Sequence, residues 1–130
     1  RKLEAAREKA LTGSVRRRAL ALVRRIDEAS AKLRLKELLA LVDPQSSEER
    51  EALRRQFETM LASSLRVVRS SHEVERVEVS ADRRRVRVEV VHHYCYVEKD
   101  SGASIEGSQR KVFHLLERDG RWYLEKIELR

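Results

Sequence analysis

The sequence predicts an α+β fold in which N-terminal helices pack on a curved four-stranded antiparallel meander sheet, and three observations predict it. Apolar residues recur at intervals of three and four up to about Arg69, they alternate from Glu73 onward, and Asp119-Gly120 marks a two-residue hairpin near the end. Gathering helices on one face of an antiparallel sheet buries both apolar surfaces at once.

In the first helix Val15, Ala19, Leu22, Val23, Ile26, Ala29 and Leu33 form one stripe, while Arg16, Arg17, Arg18, Arg24 and Arg25 occupy the remaining circumference. Thr12-Gly13-Ser14 reads as a break, which makes residues 1–13 a helical lead-in or linker and residues 14–130 a single cone-shaped domain. The apolar run from Leu33 ends at Asp43-Pro44, because proline restricts the residue before it. Ser46 and Glu49 have the spacing of a capping box, opening a helix with Leu53, Phe57, Met60, Leu61, Leu65 and Val68 on its buried side and its end near Arg69.

The period then becomes two. Strands are expected over Glu73–Val79, Arg85–Glu98, Ile105–Arg118 and Arg121–Leu129, separated by Ser80-Ala81-Asp82-Arg83, by the Asp100 and Gly102 segment, and by Asp119-Gly120. Trp122 is expected to anchor the last hairpin in the core.

Composition narrows the function classes. A chain of 130 residues with 41% hydrophobic and 39% charged residues builds one core and is too apolar for a disordered tail. It has no apolar run approaching the roughly 18 residues that span a bilayer. Cys95 is the single cysteine, so no internal disulfide forms, and both a cytoplasmic and an extracytoplasmic setting stay open. The chain starts at Arg1 rather than Met, which reads as a piece of something longer, with an upstream anchor or partner domain left open. The net charge of +7 is uneven: residues 1–71 hold 17 basic and 10 acidic side chains, the remainder 12 of each. Such a field attracts anions without choosing among them.

This order of elements resembles the nuclear transport factor 2-like superfamily, a cone-shaped α+β fold that includes ketosteroid isomerase. The resemblance rests on Glu37-Leu38-Leu39-Ala40-Leu41-Val42-Asp43-Pro44, on the helix that follows, and on Glu117-Arg118-Asp119-Gly120-Arg121-Trp122-Tyr123-Leu124, and it covers most of residues 14–130. It implies a curved sheet wrapped around a helix, a pocket at the wide end and frequent dimerisation through the sheet. The isomerase members use a carboxylate base with a Tyr and a second acid. Here Asp82, Asp100 and Asp119 all fall in turns and the strand acids are Glu, a departure from that pattern.

The segment His92-His93-Tyr94-Cys95-Tyr96 carries the most varied chemistry. Alternation sets His92, Tyr94 and Tyr96 on the face of Val86, Val88 and Val90, where they either line a pocket or simply pack. His92 and His93 face opposite ways and there is no second Cys, so no metal site or cofactor is expected. If Arg118 pairs with Arg121, then His114 stands opposite Glu125, between the pairs Leu116 with Tyr123 and Val112 with Ile127. That pair is either a tuned base or a stabilising cross-strand contact.

Three functions follow as expectations. The first is a non-enzymatic domain binding a small hydrophobic ligand or a protein partner, dimeric through its sheet. The second is a small-molecule enzyme of isomerase or dehydratase type, in whose cavity at least two of His92, Tyr94 and His114 converge. The third is docking of the basic helix, through Arg16, Arg17, Arg18, Arg24 and Arg25, on nucleic acid or an anionic membrane, or its attachment to a lost membrane anchor.

Overall fold

The computed structural model describes residues 1–130. Three helices, α1 (Lys2–Ala31), α2 (Leu35–Leu41) and α3 (Ser47–Ala62), precede four strands, β1 (Leu65–Val79), β2 (Arg85–Glu98), β3 (Ser104–Arg118) and β4 (Arg121–Leu129). The strands form one antiparallel sheet in the order β1-β2-β3-β4, as a meander requires. No helix is long and apolar enough to cross a membrane.

The α1 stripe is buried as its periodicity demands: Ala19, Leu22, Val23, Ile26 and Ala29 pack with Leu38, Leu41, Leu53 and Phe57 against Val86, Val88, Val90, Phe113, Leu115 and Leu124. The helix runs unbroken through Thr12-Gly13-Ser14, so the expected break there is absent. A single glycine costs a helix only about 1 kcal/mol, too little to interrupt one that has helix formers such as Ala10 and Leu11 before it and Arg16 to Leu20 after it. The interruption falls instead at Leu33, which takes a left-handed φ of 53° and separates α1 from α2. Its side chain packs against the core, which offsets the roughly 1–2 kcal/mol that this conformation costs an L-residue.

Helix α3 ends at Ala62, and β1 begins at Leu65, eight residues before the expected strand start at Glu73. Val67 pairs with Tyr96 and Ser70 with Tyr94. The long partner strand β2 supplies ladder hydrogen bonds that outweigh the weak local helical signal of Leu65 and Val68. The capping box is also absent. Ser46 Oγ donates to Asp43 Oδ2 at 3.3 Å, and Glu49 accepts the backbone N–H of Ile127 at 3.1 Å, tying α3 to β4.

Asp119 and Gly120 both have positive φ, 53° and 81°, as a type I′ hairpin needs, and Glu117 accepts the Gly120 N–H at 2.9 Å. Trp122 lies against the core, as expected. Beyond the turn the ladder slips at Glu125, which is bulged out, so His114 faces Lys126 and not Glu125, and Val112 faces Glu128 and not Ile127.

The corner between α2 and α3 is fixed onto this hairpin. Val42 bridges Leu124, the Asp43 N–H donates to the Leu124 carbonyl at 2.8 Å, and Arg118 clamps the Asp43 carboxylate through Nε at 2.8 Å and Nη2 at 3.1 Å. Asp43 is only 2% exposed, and the guanidinium beside it lowers its carboxyl below the usual Asp value.

Asp43→Ala removes the acceptor of this clamp and is expected to lose about 2–3 kcal/mol, read as a lower urea midpoint; Arg118→Ala shifts the midpoint the same way and the double variant is less than additive. A second prediction concerns β2 and β3. Tyr94 lies across Gly107, where an added Cβ would fall 2.6 Å from Tyr94 Cζ. Gly107→Ala should therefore lower the melting temperature, by about 1–3 kcal/mol of stability, and Tyr94→Leu in that background should recover most of it.

Candidate functional site

Between α1, α3 and the inner face of the sheet lies a cavity of about 80 Å³, several times the roughly 10–15 Å³ one water needs. Its walls are mostly apolar, including Ile26, Leu53, Phe57, Val67 and Phe113. Its polar groups come from different elements: Ser70 and His72 of β1, His92 and Tyr96 of β2, and Lys111 of β3.

Two bulges in β1 create this convergence. The register skips Val68 and Glu75, and each skip reverses which side of the strand faces inward. Val67, Ser70, His72, Val74, Val77 and Val79 therefore pair with the inward residues of β2 although their spacing is not uniformly two. His72 pairs with His92, and the two rings stack with centroids 4.4 Å apart and 16° between planes.

His72 Nδ1 lies 2.7 Å from Asp27 Oδ1, and its side chain is 3% exposed. Burial lowers its pKa, opposed by the Asp27 hydrogen bond. At neutral pH the ring is then uncharged, with Nδ1–H donating to Asp27 and Nε2 left as a lone pair without a protein partner. His92 Nε2 lies 2.7 Å from Ser70 Oγ. Burial first, and then the charge of Lys111, hold its pKa down to about 3. Lys111, inward opposite Val90, is itself lowered by burial, with Asp27 acting against the shift, and it makes no hydrogen bond or ion pair with the protein. Burial also raises the Tyr96 hydroxyl.

Of the residues singled out from sequence, His92 and Tyr96 line this cavity. Tyr94 does not line it; the ring stacks on Tyr96 at 5.3 Å and tilts against His92 at 5.6 Å. His114 and Glu125 lie elsewhere, in a shallow cleft with Arg85 and Arg87. The expected pair is not formed: His114 Nε2 contacts Glu128 at 3.3 Å, and Arg85 donates to Glu125 at 2.9 Å. Only one of the trio His92, Tyr94 and His114 thus reaches the cavity. Arg16, Arg17, Arg18, Arg24 and Arg25 are all exposed on α1. No group of three His, Cys, Asp or Glu side chains is placed to hold a metal ion.

Asp27, Ser70, His72 and Lys111 were not anticipated. Asp27 carried a signal, being an acid four residues after Val23 and next to Ile26 on the apolar stripe. His72 carried none, because its inward direction depends on the bulges.

Both histidines bind fewer protons folded than unfolded, so their contribution is complete above the unfolded value near 6.5 and is lost as pH falls, for His92 toward about 3. The urea midpoint should drop between pH 7 and 5, before most carboxylates titrate, with His92 contributing about 1–2 kcal/mol, and His92→Asn should flatten that slope.

No protein-family model and no curated protein matches this chain. Solved structures do resemble it. The intermembrane space region of chloroplast protein ARC6 matches with a TM-score of 0.63 at 16% identity, over 87% of this chain and 94% of that one. A cystatin-like protein of unknown function from Nostoc punctiforme gives 0.58 at 18%, over 88% of each chain. A ketosteroid isomerase-like protein from Erwinia carotovora atroseptica gives 0.67 at 12%, over 82% and 88%. The fold is accordingly cystatin-like and ketosteroid isomerase-like, the cone-shaped α+β fold that the sequence resemblance implied.

Proposed function

We propose that this domain binds a small, largely apolar molecule in the cone cavity, with His72, His92, Ser70 and Lys111 contacting its polar atoms. The observation that carries the reading is the convergence of these polar groups, from three adjacent strands, on one apolar cavity. A few oriented polar groups in an otherwise apolar recess is the general form of a ligand site. A merely structural core would replace these residues with Val and Leu, as Val86, Val88 and Val90 do further along β2.

Titration with a panel of small cyclic molecules, followed by the ring signals of His72 and His92 in NMR, tests it. Saturable shifts of both rings are expected, and Val67→Trp, which fills the cavity, should abolish them. Unmoved rings at millimolar ligand, or binding indifferent to Val67→Trp, would sink the reading.

A second reading, proton-transfer catalysis on the bound molecule, is favoured by the Asp27–His72 pair. A neutral imidazole held by a carboxylate, with its other nitrogen free, is a competent general base, and a ketosteroid isomerase-like protein shares the fold. Exchange of the α-hydrogens of cyclohexanone in D2O should be accelerated by the protein and lost in His72→Gln. Equal rates for both proteins would exclude this role for His72.

A further inference from the structure

Lys111 is out of keeping with its surroundings. Its ammonium group lies in a cavity walled by Ile26, Phe57 and Phe113, yet no protein oxygen accepts a hydrogen bond from it and no carboxylate lies within ion-pair distance. Lys32, by contrast, meets Glu28 at 2.7 Å on the exposed face of α1. Lys111 is half-buried, so its ammonium keeps part of its hydration, but on the cavity side it faces an apolar wall and meets no protein acceptor.

The carboxylate that acts on Lys111 from within the protein is Asp27, and that group is committed to His72 Nδ1 at 2.7 Å. His72 and His92 make no hydrogen bond to Lys111, their bonded nitrogens being engaged by Asp27 and Ser70, and as neutral rings they bring no negative charge. Three ammonium hydrogens are therefore left for whatever enters the cavity. A charge-assisted hydrogen bond is stronger than a neutral one and is selective for an anionic acceptor.

Resting on the cavity as the ligand site, we infer that its ligand is a small apolar carboxylate whose anionic oxygens are taken by Lys111. The hydrocarbon part would lie against Ile26, Phe57 and Phe113. Lys111 is in these terms the residue that determines specificity, while the histidines contact uncharged atoms of the same molecule.

A matched pair of probes decides the matter. Cyclohexanecarboxylate and cyclohexanecarboxamide have the same shape and differ in charge, and their dissociation constants can be measured by NMR titration of the His72 and His92 ring signals at pH 7. The wild-type protein should prefer the carboxylate at least tenfold. Lys111→Met should abolish the preference while binding the amide no worse than wild type, and Lys111→Gln offers the same test if the Met variant fails to fold. Equal affinity for the two probes in the wild-type protein overturns the inference and leaves the ligand site standing. A preference that survives in both variants also overturns it, because the anion is then held elsewhere. Binding of neither probe overturns the inference together with the reading of the cavity on which it rests.

Discussion

The contact on which the architecture depends most is the clamp of Arg118 on Asp43. A carboxylate buried to this degree is tolerable only when its lone pairs are filled, and here they are filled by two guanidinium hydrogens, the Gln45 N–H and the Ser46 hydroxyl. Those partners belong to different parts of the chain. The Asp43 group terminates α2, starts the turn into α3 and grips the last residue of β3, so one buried charge sets the helix layer against the closing hairpin. Glu49 reinforces the position by accepting the Ile127 N–H, a bond between α3 and β4. With both ends of the α2–α3 corner tied down, α1 must lie across the inner face of the sheet, and Asp27 is brought to His72.

The polar cluster is the opposite kind of construction. Where Asp43 has every lone pair engaged, His72 Nε2 and the Lys111 ammonium have no protein partner. Burial keeps both histidines neutral, which removes the like-charge repulsion that stacked imidazolium rings 4.4 Å apart would suffer. The stack is thus a consequence of desolvation and needs no special attraction. Polar groups without a protein partner, gathered in one recess of an otherwise apolar wall, are the ordinary sign of a site shaped by binding rather than by folding.

Much of the fold was legible in the sequence because its signals are local. The α1 stripe, the stop at Asp43-Pro44, the limits of β2 and β4, and the Asp119-Gly120 turn depend on residues close together in the chain. What was not legible depends on pairing between distant segments. The start of β1 at Leu65 needs β2 as a template, and the slip at Glu125 displaces the expected partner of His114. The site suffered most, because an alternating pattern read across Val68 and Glu75 inverts after each bulge. His92 and Tyr96 were found on an uninterrupted strand, whereas His72 was hidden by an interrupted one. The aromatic content of β2 drew attention to Tyr94, yet that ring is committed to covering Gly107.

Strand β2 shows how one element serves both folding and site. Its inner face reads Val86, Val88, Val90, His92, Tyr94, Tyr96, changing once from aliphatic to polar-tipped at His92. The valines are almost fully buried beneath Leu22, Val23 and Ile26 of α1 and hold the closed part of the core. Beyond His92 the helices present Ser30, Gln56 and Met60, which pack less tightly, and the cavity opens there. Because the strand is continuous and hydrogen-bonded on both edges, the packed end fixes the direction of the rings at the open end. A loss of volume at Val88 would be transmitted along the ladder to the His72–His92 stack, whereas removing a polar group at the open end leaves the packed valines in place. Damage to the aliphatic half therefore reaches the site, whereas a change at the polar end alters stability through the titration of its histidines and leaves the packed valines where they are.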